Sequence, residues 1–218
     1  MIKALLIDMD GLLINSEPCS CKSYMDFVTG HGYEFTEEFY YKNMAGHSAK
    51  DNIKLLCDKY HFEESNEEVA NTVNGIEYAY YEAGIPCKKG AINLLNYLKE
   101  NGYVIILATS SLIKRAMLAI DFNNLDHYFD DKVFGPEVEH AKPAPDLFLK
   151  ACEKSGCKPE ECVVLEDSFN GIRSANNANI PVICIPDVAR PDDELASKCL
   201  AVLDDLDQVV DYLKQNNK

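Results

Sequence analysis

Positive charge is scarce in this chain: 21 Lys and Arg stand against 36 Asp and Glu in 218 residues, a formal charge of −15. A field of that sign repels polyphosphate and anionic headgroups at long range, which argues against nucleic acid and membrane surfaces as partners. Any phosphate ligand must therefore be small and held by local groups. Long uncharged stretches are missing as well. None approaches the roughly 18 residues needed to cross a bilayer, and the first apolar run is broken at Asp8 and Asp10. The expectation is a cytoplasmic protein with neither signal peptide nor anchor. Paired Cys-x-x-Cys spacing is also absent. Nine cysteines, an odd number without secretory context, read as reduced thiols rather than a disulfide framework. None of the five histidines completes a zinc constellation with them. We find no internal repeat and no low-complexity tract. What the chain does have is 47% apolar residues, enough to build one large core or two small ones.

Ile2, Ala4, Leu5, Leu6 and Ile7 form a nearly continuous apolar run that stops at Asp8, Asp10 and Gly11, the pattern of a strand buried on both faces. Similar runs occupy residues 103–108, 162–165 and 182–185, with stretches of helical period between them, such as Leu94, Leu95 and Leu98. This alternation predicts an α/β fold, a Rossmann-like doubly wound parallel sheet covered by helices. Asn101-Gly102 marks the end of one helix before its strand. Between residues 16 and 84 the apolar spacing is helical throughout, as at Cys21, Tyr24 and Phe27 and again at Val69, Val73, Ile76 and Tyr80. That segment is too long for a βα connection. The predicted organisation is a sheet-containing core from 1–15 and 85–218, with a small helical domain inserted at 16–84 and Gly84-Ile85-Pro86 as its return hinge.

In open parallel sheets, ligands bind beyond the carboxyl ends of the strands, so the polar residues that follow each apolar run should meet in one crevice. Four clusters qualify: Asp8-Met9-Asp10-Gly11, Thr109-Ser110-Ser111, Lys142-Pro143 in a loop, and Glu166-Asp167. Singly each has an ordinary explanation. Asp-x-Asp recurs at Asp205-Leu206-Asp207, read as the cap of the last helix; a Thr-Ser-Ser run is a common helix cap, and a lone lysine is usually solvated. Their joint occurrence at strand ends is the informative part. Asp8, Asp167 and Glu166 near one point would repel one another, which a hard cation such as Mg²⁺ relieves through oxygen coordination. Lys142, the Thr109 hydroxyl and N–H groups near Ser110 could orient phosphoryl oxygens. Asp8, already ionised at neutral pH, could attack phosphorus without a separate base. Asp10 could protonate the leaving alkoxide and later take a proton from water, a role that needs a raised pKa; burial beneath the inserted domain and an adjacent carboxylate push it up, and the metal pushes back.

These residues resemble the haloacid dehalogenase superfamily of phosphohydrolases, in the subgroup with a small helical cap and closest to β-phosphoglucomutase-like members. The first motif is matched by residues 8–18 (DMDGLLINSEP), the second by 107–111 (LATSS), the third by 142–148 (KPAPDLF) and the fourth by 165–171 (LEDSFNG). The resemblance implies Asp8 as nucleophile, Asp10 as acid/base, Thr109 and Lys142 as phosphate ligands, and Mg²⁺ held by Asp8, Asp167, the Asp10 carbonyl and Glu166, directly or through water. It implies a phosphatase acting on a sugar or nucleotide phosphate, or alternatively a sugar-phosphate mutase. Mutase members grip a second phosphate with an arginine where this chain has Ala49, and with a histidine near the position of Ser20. Those departures favour water as acceptor, although His47 or Lys50 could compensate. His47, Ser48, Lys50, Asn15 and Ser110 are the candidate substrate contacts; Ser48 and its neighbours would equally serve as turn and cap residues. A receiver domain also gathers acids, a hydroxyl and a lysine at strand ends, but it is shorter and carries no helical insert. A phosphate-binding module without turnover is disfavoured by the retained Asp8 and Asp10.

Overall fold

The structure, a computed structural model, describes residues 1–216. Six strands form one parallel sheet: β1 (Ala4–Ile7), β2 (Val104–Thr109), β3 (Asp131–Phe134), β4 (Cys162–Glu166), β5 (Val182–Cys184) and β6 (Ala201–Val202), in the order β3-β2-β1-β4-β5-β6. Strands 1 to 3 progress toward one edge and 4 to 6 toward the other, so the direction of winding reverses between β1 and β4. In such sheets a crevice opens at that reversal. Every residue of β1 is fully buried, as its unbroken apolar run requires. Ile7 sits in register with Leu107 on one side and Leu165 on the other, so the residues that follow β1, β2 and β4 emerge side by side.

Two strands carry no apolar run long enough to be read from sequence. β3 opens with Asp131 and Lys132, and β6 is two half-buried residues. Both lie at sheet edges, where short length and charge guard unpaired backbone groups against pairing with another chain. Helices α5 (Ala91–Glu100), α6 (Ile113–Phe122), α7 (Asp146–Ser155), α8 (Phe169–Asn177), α9 (Asp193–Ala196) and α10 (Leu206–Asn216) belong to the same unit. Asn101 closes α5, with Gly102 at φ +71° behind it. Asp205 accepts the Gln208 amide at the start of α10, the expected cap. Ala4, Ile106, Val133, Phe148, Cys162, Val164, Ile172 and Val182 share one cluster under the sheet.

The second unit runs from Ser16 to Ile85, and the first comprises Met1–Asn15 and Pro86–Lys218. The two chain crossings are tied to each other: the Asn15 amide donates to the Pro86 carbonyl at 3.0 Å, and Ile14 bridges Cys87. The second unit contains α1 (Glu17–Gly30), α2 (Glu37–Asn43), α3 (Ala49–Tyr60) and α4 (Asn66–Ala83), with no strand among its residues. Its own core holds Cys21, Tyr24, Phe27, Tyr40, Met44, Leu56, Val69 and Val73. Ser65 opens α4 with a reciprocal capping box to Glu68. Cys21 and Cys162, expected as small core residues, are 2% and 0% exposed. No helix among the described residues is long and apolar enough to cross a membrane.

Candidate active site at the strand reversal

Asp8 continues β1 by donating its amide to the Leu165 carbonyl at 3.1 Å, which carries its side chain into the gap between β1 and β4. Gly11 then turns the chain at φ +79°. A side chain at this position would be strained, and its Cβ would run into the Asp167 carboxylate. Glu166, the last residue of β4, is completely buried. Its Oε2 accepts three bonds, from the Asp167 amide (2.9 Å), the Ser168 amide (2.8 Å) and the Ser168 hydroxyl (2.9 Å). Ser168 also caps α8. Gly171 lies so close that any Cβ there would overlap the Glu166 carboxylate. The sequence Glu-Asp-Ser-x-x-Gly is thus a single packed corner.

Lys142 comes from the loop before α7, and its Nζ lies 2.5 Å from both Asp8 Oδ1 and Glu166 Oε1. Its side chain is 9% exposed and lies over the Phe148 ring. Carboxylate oxygens of Asp8, Glu166 and Asp167 all come within 4.8 Å of one another. Burial pushes the Asp8 carboxyl up to about 7; Glu166 and Asp10 add to this and Lys142 opposes it. Burial likewise raises Asp167 well above the usual carboxylate range, reinforced by Glu166 and Asp8. For Lys142 burial alone would lower the pKa, but Asp8 and Glu166 together hold the ammonium above its ordinary value. Three clustered carboxyls facing one ammonium are short of positive charge. An all-oxygen donor set of this kind fits a hard divalent cation.

Asp10 does not join that cluster. Its carboxylate accepts the Ser111 hydroxyl at 2.6 Å and Arg115 Nη2 at 3.1 Å, with the Thr109 hydroxyl at 3.4 Å. Thr109, at the end of β2, is 1% exposed and also accepts the Ser111 amide. Ser110 is exposed, and its carbonyl abuts Gly135 so closely that no side chain would fit there. Sequence reasoning did not single out Arg115; an arginine on α6 carries no motif, and only the fold brings it to Asp10. Asp187 was also missed. It follows β5 as the other acids follow their strands, so the strand-end rule could have found it. It pairs with Lys88.

The remaining candidates are solvent-exposed side chains. Asn15 is exposed, with its backbone in the crossing between units. His47, Ser48 and Lys50 are exposed in the helical unit. The Ser48 hydroxyl is committed to capping α3, accepting the Asp51 amide at 3.2 Å and donating to the Asp51 carboxylate at 2.6 Å. Lys50 lines a cavity of about 390 Å³ with Tyr24, Ile53, Ala70 and Val73.

The fold is shared with known proteins. The model of the haloacid dehalogenase-like hydrolases matches residues 5–185, and the chain belongs to that family. It is 28% identical to the phosphorylated carbohydrates phosphatase of Thermotoga maritima over 82% of each chain. It is 32% identical to the probable pseudouridine-5'-phosphatase of Drosophila melanogaster, over 84% of this chain and 80% of that one. Among solved structures, the β-phosphoglucomutase of Clostridium difficile superposes with a TM-score of 0.78 at 22% identity, over 99% of this chain and 96% of the other. That last likeness shows the shared fold.

Proposed function

We propose that the chain is a cytoplasmic Mg²⁺-dependent phosphatase that hydrolyses a small phosphomonoester, a sugar or nucleotide phosphate, through an aspartyl-phosphate on Asp8. The observation that carries this reading is the position of Lys142, 2.5 Å from both Asp8 and Glu166 at the strand reversal. A buried ammonium there fixes the nucleophile's orientation and offers charge to incoming phosphoryl oxygens. Bound Mg²⁺, held by Asp8, Asp167 and the Asp10 carbonyl, would supply the further positive charge that lets a carboxylate and a phosphate approach each other. Glu166 would act mainly by orienting Lys142, since its Oε2 already accepts three donors.

A carboxylate oxygen of Asp8 attacks phosphorus in line, the ester P–O bond breaks, and the leaving alkoxide takes the proton of the Asp10 carboxyl. Water then attacks the phosphorus of the acyl phosphate and gives a proton to the Asp10 carboxylate. The P–O bond to Asp8 breaks, inorganic phosphate leaves, and both aspartates are restored. Arg115 and Ser111 hold Asp10 in place between these transfers. Thr109 and Ser110 are the proposed hydroxyl and N–H contacts to the phosphoryl group. His47, Lys50 and Asn15 are proposed to touch the leaving group, while Ser48 is better explained by its cap. The substrate class is supported by the two phosphatase relatives, whose names specify phosphorylated carbohydrates and a nucleotide.

Water rather than a second sugar is the favoured acceptor. Ala49 opens α3 where a mutase would offer an arginine, and the Ser20 hydroxyl donates to Glu77 at 2.7 Å. Phosphate release from a panel of phosphorylated sugars and nucleotides, with Mg²⁺ and then with a chelator, tests the proposal. Mg²⁺-dependent hydrolysis is the expected result. Interconversion of sugar-phosphate isomers by phosphorus NMR, with little phosphate released, would overturn it in favour of the mutase.

A further inference from the structure

Asp187 stands three residues beyond the end of β5, beside the corner that carries Glu166 and Asp167. Its Oδ1 is paired with Lys88 Nζ. Lys88 is in turn fastened to the segment after β1, its amide donating to the Leu13 carbonyl at 2.8 Å. The other oxygen of Asp187 is buried and has no hydrogen-bond partner. That oxygen is directed at Gly11: a Cβ built there would sit 3.2 Å from it and would also collide with Asp167 Oδ2. Asp167 and Asp187 thus face the same glycine from two strand ends, and Asp187 contributes to the raised pKa of Asp167.

A buried carboxylate oxygen left unpaired next to another acid is unfavourable by any ordinary count. A tie between β5 and the returning chain would need only the paired oxygen. The unpaired one lacks a donor, and a hydrated hard cation brings donors, because Mg²⁺ and Mn²⁺ keep several of their waters. We propose that Asp187 is a positioning carboxylate for the divalent cation of this site, accepting a hydrogen bond from its hydration shell. This rests on the cation reading above and extends it to a residue outside the four motifs. Lys88 offsets the charge of this carboxylate, so that the site is not overloaded when the cation is absent.

Mn²⁺ binding to the full-length protein, followed by the electron paramagnetic resonance of the free ion, tests this without reference to turnover. Asp187→Asn keeps the shape and removes the charge; its Mn²⁺ dissociation constant should rise about ten-fold, the scale of outer-shell effects on metal affinity. Lys88→Met breaks the same ion pair but keeps the carboxylate, and should bind Mn²⁺ within about two-fold of the parent or more tightly. Equal behaviour of the two variants, whether both weakened or both unchanged, would reduce the pair to a structural tie and overturn the proposal. Failure of the parent protein itself to bind Mn²⁺ would overturn the cation reading and this one together.

Discussion

Two groups of candidate residues, one at the strand reversal and one in the helical unit, are held in opposite ways. Asp8, Lys142 and Glu166 have side chains between 1% and 9% exposed, and Lys142 touches both carboxylates directly. His47, Ser48 and Lys50 are exposed, and the Ser48 hydroxyl serves the first turn of its own helix. The first group is fixed by sheet register and burial, so each member's loss leaves a partner stranded in a dry environment. The second is fixed by local capping and by water, which replace a lost contact at little cost. Residues of the first kind should therefore move chemistry and stability together, and residues of the second kind should move them separately or not at all.

The sharpest way to break this contrast is Asp8→Asn. Turnover should fall by about 10⁴-fold or more, on the scale seen when a covalent nucleophile is removed; full activity in this variant would eliminate the nucleophile assignment. Next comes Lys142→Met, which strands two buried carboxylates. We expect a loss of about 10²–10³-fold in kcat together with about 3–5 kcal/mol of stability, measured by steady-state kinetics and urea unfolding. A variant that lost activity while keeping its stability would show that the lysine is not locked as described.

A pH experiment sharpens the same point. The Asp8 carboxyl has an ordinary value of 3.8 and is raised by burial to about 7 in the folded protein without a cation. Between those values the folded state holds more protons than the unfolded one, so stability falls as pH rises through the window and levels off above it. Metal-free protein should therefore lose Tm from pH 4 to pH 7, Mg²⁺ should restore more at pH 7 than at pH 5, and Asp8→Asn should flatten the slope. A metal-free Tm that climbs across this window would contradict the assignment. The smallest effect belongs to the helical unit: Ser48→Ala should cost about 1 kcal/mol as a lost helix cap and leave kcat and KM within about two-fold. A large rise in KM would make Ser48 a substrate contact after all.

Much of the sheet and most of the strand-reversal site were legible in the sequence for one physical reason. A strand buried on both faces must be apolar along its length, so β1, β2, β4 and β5 announce themselves and their polar followers are placed by parallel register. β3 and β6 escaped because edge strands need not be apolar; Asp131-Lys132 reads as a loop until Val133 and Phe134 pair with β2. Arg115 meets Asp10 across 105 positions of sequence, and nothing local to α6 signals it. The sequence offers burial and an adjacent carboxylate as the means of tuning Asp10 and is silent on the partners that the structure gives its carboxylate, Ser111 and Arg115.

The central claim, that Asp8 carries the phosphoryl group between two displacements, is tested most directly by the stereochemical course at phosphorus. A substrate whose transferred phosphoryl group is made chiral with oxygen isotopes and sulfur would be hydrolysed and the configuration of the product read by phosphorus NMR. Two in-line steps each invert the centre, so net retention is the expected result. Net inversion would mean that water attacks the ester directly and that Asp8 is never phosphorylated.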